Sequence, residues 1–151
     1  MHRRELLTTL GVATAGLVAV TGGEAHAQEG RGGGDIHDRC AKDCAEAMVA
    51  CNQGFHHCYQ QVQAGKREHA KAMHMCVDCA DICGTAAGLV ARMSPLMTHT
   101  CRAAAECCEA LIAECEKLGD AEMKGVMEHC RACVKSCREM VQAMGGKAGG
   151  R

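Results

Sequence analysis

Fourteen cysteines are the residues of this 151-residue chain whose type and spacing could do chemistry. Most neighbours within a group are three, four or seven positions apart, a spacing that places side chains on one face of an α-helix. A helix face lined with thiols offers soft sulfur ligands to a metal ion. The four groups are Cys40, Cys44, Cys51 and Cys58; Cys76, Cys79 and Cys83; Cys101, Cys107, Cys108 and Cys115; and Cys130, Cys133 and Cys137.

Cu(I) is the metal that this ligand set favours, since Cu(I) is soft and accepts two or three sulfur ligands. Two cysteines four positions apart on one helix could hold one ion, and the candidate pairs are Cys40/Cys44, Cys79/Cys83 and Cys133/Cys137. If thiolates bridge neighbouring ions, the chain could bind roughly one Cu(I) per cysteine. We therefore expect storage of many Cu(I) ions and no enzymatic activity, because no nucleophile paired with a base stands out.

Several other roles for the thiols stay open. A zinc or cadmium protein of the metallothionein type is one, although zinc prefers four tetrahedral ligands. An iron–sulfur protein is another, although Cys76, Cys79 and Cys83 lack the full ferredoxin run. Disulfides are disfavoured between cysteines three or four apart on one helix. Cys107 lies beside Cys108 and off the main stripe, so flank packing and metal binding are equally open for it.

Methionines and histidines form a second set of candidate ligands. Thioether sulfur also binds Cu(I), and at the two predicted ends of the molecule it could admit copper, although methionine also fills gaps at helix ends. The candidate methionines at predicted inward positions are Met73, Met123 and Met127 with His69 nearby at one end, and Met93, Met97 and Met144 with His37 at the other. We expect the remaining bundle histidines to face solvent, namely His56, His57, His74, His99 and His129.

Four helices must position these residues, at about residues 35–64, 66–93, 95–118 and 121–144. Gly65 and Gly119-Asp120 are typical of helix ends, and Ser94-Pro95 is typical of a helix start. Long helices joined by very short turns predict an all-α fold, an antiparallel up-down four-helix bundle over residues 35–144 with cysteines lining the core. Such a core buries few large apolar side chains, so metal–thiolate bonds could supply missing stabilisation.

The first 27 residues are typical of an export signal. Arg3-Arg4 is a charged start that resembles a twin-arginine motif, the apolar stretch that follows is too short to span a bilayer, and Ala25-His26-Ala27 has the form of a cleavage site. An ordinary secretory signal is the alternative. We expect an exported, periplasmic protein with a flexible lead-in at 28–34, a flexible tail at 145–151 and no membrane span after the signal.

Nucleic acid is not an expected partner of this chain. Its formal net charge is only −1, and Phe55 and Tyr59 are its only aromatic residues apart from histidine. The chain therefore lacks both the excess of basic residues that would attract phosphates and the aromatic residues on which bases would stack.

The bundle-lining cysteines, the three pairs spaced four apart and the twin-arginine-like leader together resemble the exported branch of the copper storage proteins. The resemblance covers about residues 35–144. It implies a four-helix bundle that binds many Cu(I) ions inside, a homo-oligomer that is commonly a tetramer, and a copper enzyme as recipient of the metal.

Overall fold

The computed structural model describes residues 34–145, with side chains from residue 36 onward. Four long α-helices carry nearly all of this part, and short 3₁₀ turns lead into the second and the fourth. The helices are α1 (Gly34–Gln63), α2 (Ala70–Ala91), α3 (Met97–Leu118) and α4 (Lys124–Gly145), and the turns are Arg67–His69 and Ala121–Met123. The export signal predicted at residues 1–27 lies outside the described residues.

The helices pack in the order in which they follow one another along the chain. α1 contacts α2, α2 contacts α3 and α3 contacts α4, and α4 closes the ring by packing against α1. Short connections force consecutive helices to run in opposite directions. The predicted all-α, antiparallel four-helix bundle is confirmed, and no strand occurs between residues 34 and 145.

Two glycines end helices where the backbone turns left-handed. Gly65 follows α1 with φ of 88°, and Gly119 ends α3 with φ of 67° and donates its N–H to the Cys115 carbonyl. Glycine adopts this conformation without the clash that a Cβ would cause. Asp120 then accepts the Glu122 N–H on Oδ1 at 2.9 Å and starts the turn into α4. Both predicted breaks therefore lie where the sequence placed them.

The start of α3 differs from the prediction. Pro95 was expected to be its first residue, but α3 begins at Met97. Ser94 instead organises a tight turn, in which its Oγ accepts the Leu96 N–H at 3.2 Å and its carbonyl accepts the Met97 N–H at 3.0 Å. α2 also ends early, because Met93 has a φ of 52°, outside the range of a right-handed helix.

The core consists mainly of sulfur and small side chains. Thirteen of the cysteines are buried and only Cys107 is partly exposed, so the predicted cysteine-lined core is confirmed. The small residues Ala47, Ala86 and Ala104 fill positions between thiols, and the largest side chains that are fully buried besides cysteine are Val90, Leu111, Met123 and Met140.

One stretch of the bundle, Arg67–Ala91, is long and apolar enough by composition to cross a membrane, with a mean hydropathy of 1.2 over its best window. No such stretch was expected after residue 27, but cysteine and alanine raise the hydropathy of a helix without making it bulky. Cys76, Cys79 and Cys83 of this stretch face the other helices and are buried. Length and composition alone do not distinguish a membrane span from a helix of a bundle, and 33% of the window is buried inside this bundle.

Two glycines in helices offer a matched test of how tightly the bundle packs. A Cβ on Gly54 would lie 2.9 Å from Val126 Cγ2 and 3.2 Å from Cys76 Sγ, whereas a Cβ on Gly125 would meet nothing within 4 Å. Gly125→Ala should raise the free energy of unfolding by about 0.5–1 kcal/mol through helix propensity. Gly54→Ala should lower it by about 1–3 kcal/mol through overpacking.

Urea denaturation of the reduced, metal-free protein would measure both changes. If Gly54→Ala were as stable as Gly125→Ala, the close approach of α1 to α2 and α4 would be wrong.

Candidate metal centre

Thiols from different helices touch one another along the axis of the bundle. Cys44 on α1 is the best-connected example, with its Sγ 3.4 Å from Cys137 Sγ and 3.6 Å from Cys133 Sγ on α4. Cys133 Sγ and Cys137 Sγ are themselves 3.9 Å apart. Two helices thus bring three sulfurs into mutual contact.

The other two helices join the same column of sulfur. Cys108 Sγ on α3 lies 3.4 Å from Cys79 Sγ and 3.6 Å from Cys83 Sγ on α2. Cys83 Sγ is in turn 3.9 Å from Cys133 Sγ on α4. The two triads are therefore linked, and all four helices supply sulfur to one connected set.

The column continues toward both ends of the bundle. The end that holds the Gly65 and Gly119 turns is called the two-turn end below. Toward that end, Cys51 Sγ lies 3.8 Å from Cys130 Sγ, and both sulfurs lie within 4.8 Å of Cys79 Sγ. At that end, Cys58 Sγ is 3.9 Å from Met123 Sδ. Toward the opposite end, Cys40 Sγ lies 3.8 Å from Cys101 Sγ and 3.9 Å from Cys137 Sγ.

These separations suit a bridging metal ion. They exceed the roughly 2.05 Å length of a disulfide bond. An ion with metal–sulfur bonds of about 2.3 Å holds its sulfurs roughly 4 Å apart in a trigonal arrangement and roughly 4.6 Å apart in a linear one. Each candidate pair spaced four apart gains a third sulfur from another helix: Cys40/Cys44 gains Cys137, Cys79/Cys83 gains Cys108, and Cys133/Cys137 gains Cys44.

Burial and neighbours set the protonation of the thiols. Burial raises the pKa of Cys115 to about 12. The pKa of Cys58 is lowered to about 7, chiefly by a hydrogen bond with Cys76 and also by the nearby His57 and His69. For Cys107, on the flank of α3, a hydrogen bond with Cys79 and then burial raise the pKa.

The methionines predicted to face inward divide into three groups. Met97 and Met123 are buried, and Met73, Met127, Met144 and His37 are partly buried. Met93 is 63% exposed, so its predicted inward position is wrong; its left-handed backbone, beyond the end of α2, turns it away from the bundle. Met140 was not among the predicted candidates, but its side chain is fully buried, whereas the neighbouring Val141 is only partly buried. Its position three residues after Cys137 was the available signal.

Two histidines meet one carboxylate at the two-turn end. His57 Nε2 lies 2.7 Å and His69 Nε2 lies 3.0 Å from the same Oδ2 of Asp120. The hydrogen bond with His57 is the main cause that holds the pKa of Asp120 well below its usual range. His57 was expected to face solvent, and this is wrong, because its side chain is only 22% exposed. His56, His74, His99 and His129 are exposed.

Comparison with known proteins gives concordant matches. A family described as "Copper storage protein" matches residues 34–142. An uncharacterized cysteine-rich protein of Bacillus subtilis, YhjQ, is 31% identical over 110 residues, which span 71% of this chain and 94% of that protein. This chain therefore matches that cysteine-rich protein over almost the full length of that protein.

Two solved structures share the fold. The Cu(I)-bound copper storage protein BsCsp3 is 30% identical with a TM-score of 0.64, over 70% of this chain and 98% of that one. A cytosolic copper storage protein from Streptomyces lividans, described with five coppers, is 22% identical with a TM-score of 0.66, over 73% of this chain and 95% of that one.

Two of the thiols with shifted pKa values, Cys115 and Cys58, predict how pH affects the metal-free bundle. Raising the pKa of Cys115 from 9.0 to about 12 gives stability that is present below pH 9 and lost as pH rises toward 12. Lowering the pKa of Cys58 from 9.0 to about 7 gives stability that is present above pH 9 and lost as pH falls through 7. Cys115→Ser should therefore reduce the loss of folding stability as pH rises above 9. Cys58→Ser should reduce the gain in folding stability between pH 7 and 9.

Urea midpoints of the reduced protein at several pH values would give both slopes. Because each variant is compared with itself across pH, a general loss of stability does not affect the result. Equal slopes in both variants and the parent would contradict these shifts.

Proposed function

The chain belongs to the copper storage protein family, and we propose that it stores several Cu(I) ions on cysteine thiolates inside its four-helix bundle. The observation that carries this proposal is the connected column of buried sulfur to which all four helices contribute. A relative of the same fold is described as Cu(I)-bound, which supports the choice of metal.

Charge balance supports Cu(I) over divalent metals in this core. Each Cu(I) that displaces one thiol proton leaves a neutral metal–thiolate unit, so many units fit in an apolar interior without net charge. Zinc held by four thiolates leaves two negative charges per site, which burial disfavours. The zinc, cadmium and iron–sulfur alternatives are accordingly not favoured. Storage also suits a set of many similar sites better than catalysis does, since none is set apart as a reaction centre.

The two-turn end is where we propose that copper enters. Met123 is the residue that supports this, because its thioether touches Cys58, the last thiol of the column on α1. Met73 and Met127 lie partly buried at the same end. At the opposite end Met97, Met144 and His37 remain as candidate ligands, but Met93 does not face the bundle.

Export and assembly into a homo-oligomer, with a copper enzyme as recipient, are further parts of the proposal. The support for export is the leader-like sequence with Arg3-Arg4 and Ala25-His26-Ala27. The solved structure from Streptomyces lividans that shares this fold is described as that of a cytosolic protein, so a cytoplasmic location is the outcome that an experiment must distinguish from export.

Cell fractionation with N-terminal sequencing tests export directly. We expect an extracytoplasmic protein that begins at Gln28, because the A-x-A pattern ends at Ala27. A cytoplasmic protein that keeps residues 1–27 would overturn export and leave the storage proposal standing.

Anaerobic titration of the reduced protein with Cu(I), against a chromophoric chelator, tests storage. We expect uptake of roughly ten or more equivalents before the chelator colours. Replacing Cys79 and Cys83 together with Ser should lower this number, because both thiols belong to one triad with Cys108. Cys107→Ser is the control, because it removes a partly exposed thiol on the flank of α3. It should lower the number of Cu(I) equivalents bound by less than the Cys79/Cys83 replacement does.

Circular dichroism of each variant would verify that the bundle is still folded. Uptake of only one or two equivalents by the parent protein would refute storage. An unchanged count in the Cys79/Cys83 variant would exclude those two thiols as ligands.

A further inference from the structure

Three side chains without sulfur converge at the two-turn end of the bundle. His57 comes from α1, His69 from the turn before α2, and Asp120 from the turn before α4, and their ligand atoms all lie within 4.8 Å of one another. We propose that they form a separate site for a divalent cation of the zinc class. This site goes beyond Cu(I) storage and does not depend on it.

Hydrogen bonding alone leaves this cluster unsatisfied. Both rings direct Nε2 at one oxygen of Asp120, and the His69 side chain is only 7% exposed. Its Nδ1 is buried and has no hydrogen-bond partner within residues 34–145. A buried polar atom without a partner costs about 1–3 kcal/mol, so its presence calls for an explanation.

A cation bound at His69 Nε2 would make the unpaired Nδ1 a hydrogen-bond donor, and Glu68 is the nearby group that could accept from it. Histidines that bind metal through one ring nitrogen usually donate the N–H of the other to a carboxylate. Glu68 Oε1 lies 4.0 Å from His69 Nδ1, and the Glu68 side chain is 63% exposed and so has room to move. A small movement of Glu68 would complete this outer contact and hold the imidazole in the tautomer that a metal needs.

The geometry needs little change to accept such an ion. Zinc bonds of about 2.0–2.2 Å to nitrogen and oxygen place tetrahedral ligands roughly 3.3 Å apart. The present separations from Asp120 Oδ2 are 2.7 Å to His57 and 3.0 Å to His69, so each ring would move outward by a few tenths of an ångström. Asp120 Oδ1 is already held by the Glu122 N–H, which orients the carboxylate.

Ligand type separates this site from the sulfur column. Two imidazoles and a carboxylate suit zinc-like divalent ions, whereas thiolates select Cu(I). The partial exposure of His57 and Asp120, 22% and 18%, leaves an open position for water. An ion here would tie α1 to the turns before α2 and α4.

Co(II) is a suitable probe, because its spectrum distinguishes sulfur from nitrogen and oxygen ligands. The full-length protein, first loaded with Cu(I) under anaerobic conditions, should bind one equivalent of Co(II). The spectrum should have d–d bands without thiolate-to-cobalt charge transfer, and Zn(II) should displace the probe. His57→Gln and Asp120→Asn should each weaken binding by more than about 100-fold, and Glu68→Gln by about tenfold.

His56→Gln is the matched control. His56 neighbours His57 on α1 but is exposed, and its Nε2 bonds Gln60 instead. Asp120→Asn keeps an oxygen that can cap the Glu122 N–H, so loss of binding there reports the lost charge rather than unfolding.

Absence of Co(II) binding, charge-transfer bands alone, or equal loss in His56→Gln would each overturn the proposal. If Cu(I) loading itself failed, the same bands and variants measured on the reduced, metal-free protein would still report this site. Failure of storage and failure of this site are therefore distinguishable.

Discussion

Contact between thiols of different helices is the interaction on which the rest of this bundle depends. Cys133 shows it best, since its sulfur touches Cys44 on α1 and Cys83 on α2. A side chain with one sulfur beyond Cβ is short, so helices that meet through thiols must approach closely. The positions between the thiols then tolerate only small residues, which is why Ala47 and Ala104 are buried there and why Gly54 has no room for a Cβ.

The same constraint makes the bundle depend on what occupies its axis. Few side chains as large as Leu111 lie in the core, so the metal-free protein gains less from apolar burial than a bundle built on leucine. Ions that bind the folded thiols but not an unfolded chain add to the free energy of unfolding in proportion to the logarithm of their concentration over Kd. On the proposed function, storage and folding therefore draw on the same sulfur contacts.

Most of the fold could be predicted from the sequence, because spacing of three, four and seven defines a helix face directly. The glycine turns were predictable for a similar reason, since Gly65 and Gly119 adopt conformations that other residues disfavour. Met93 was misplaced because the exact residue at which α2 ends depends on a turn, and the sequence placed that turn only approximately. The pairing of His57 with Asp120 was not predictable, since these residues lie 63 positions apart and meet only once two turns are built.

Each end of the sulfur column holds one thiol whose pKa is lowered beside one whose pKa is raised. At the two-turn end, the hydrogen bond with Cys76 lowers the pKa of Cys58 to about 7, so thiolate forms there near neutral pH. At the opposite end, the hydrogen bond with Cys137 lowers the pKa of Cys101, but the bond with Cys40 and burial outweigh it and raise the pKa to about 12. Cys40 touches Cys101 there and has a lowered pKa, chiefly through its hydrogen bond with Cys101. On the proposed function, an incoming ion would therefore find a readily deprotonated thiol at either end, with the Met123 thioether beside it at the two-turn end. On the proposed function, thiols with a raised pKa such as Cys101 must give up their protons as they bind, and the metal–sulfur bonds must supply the driving force for that release.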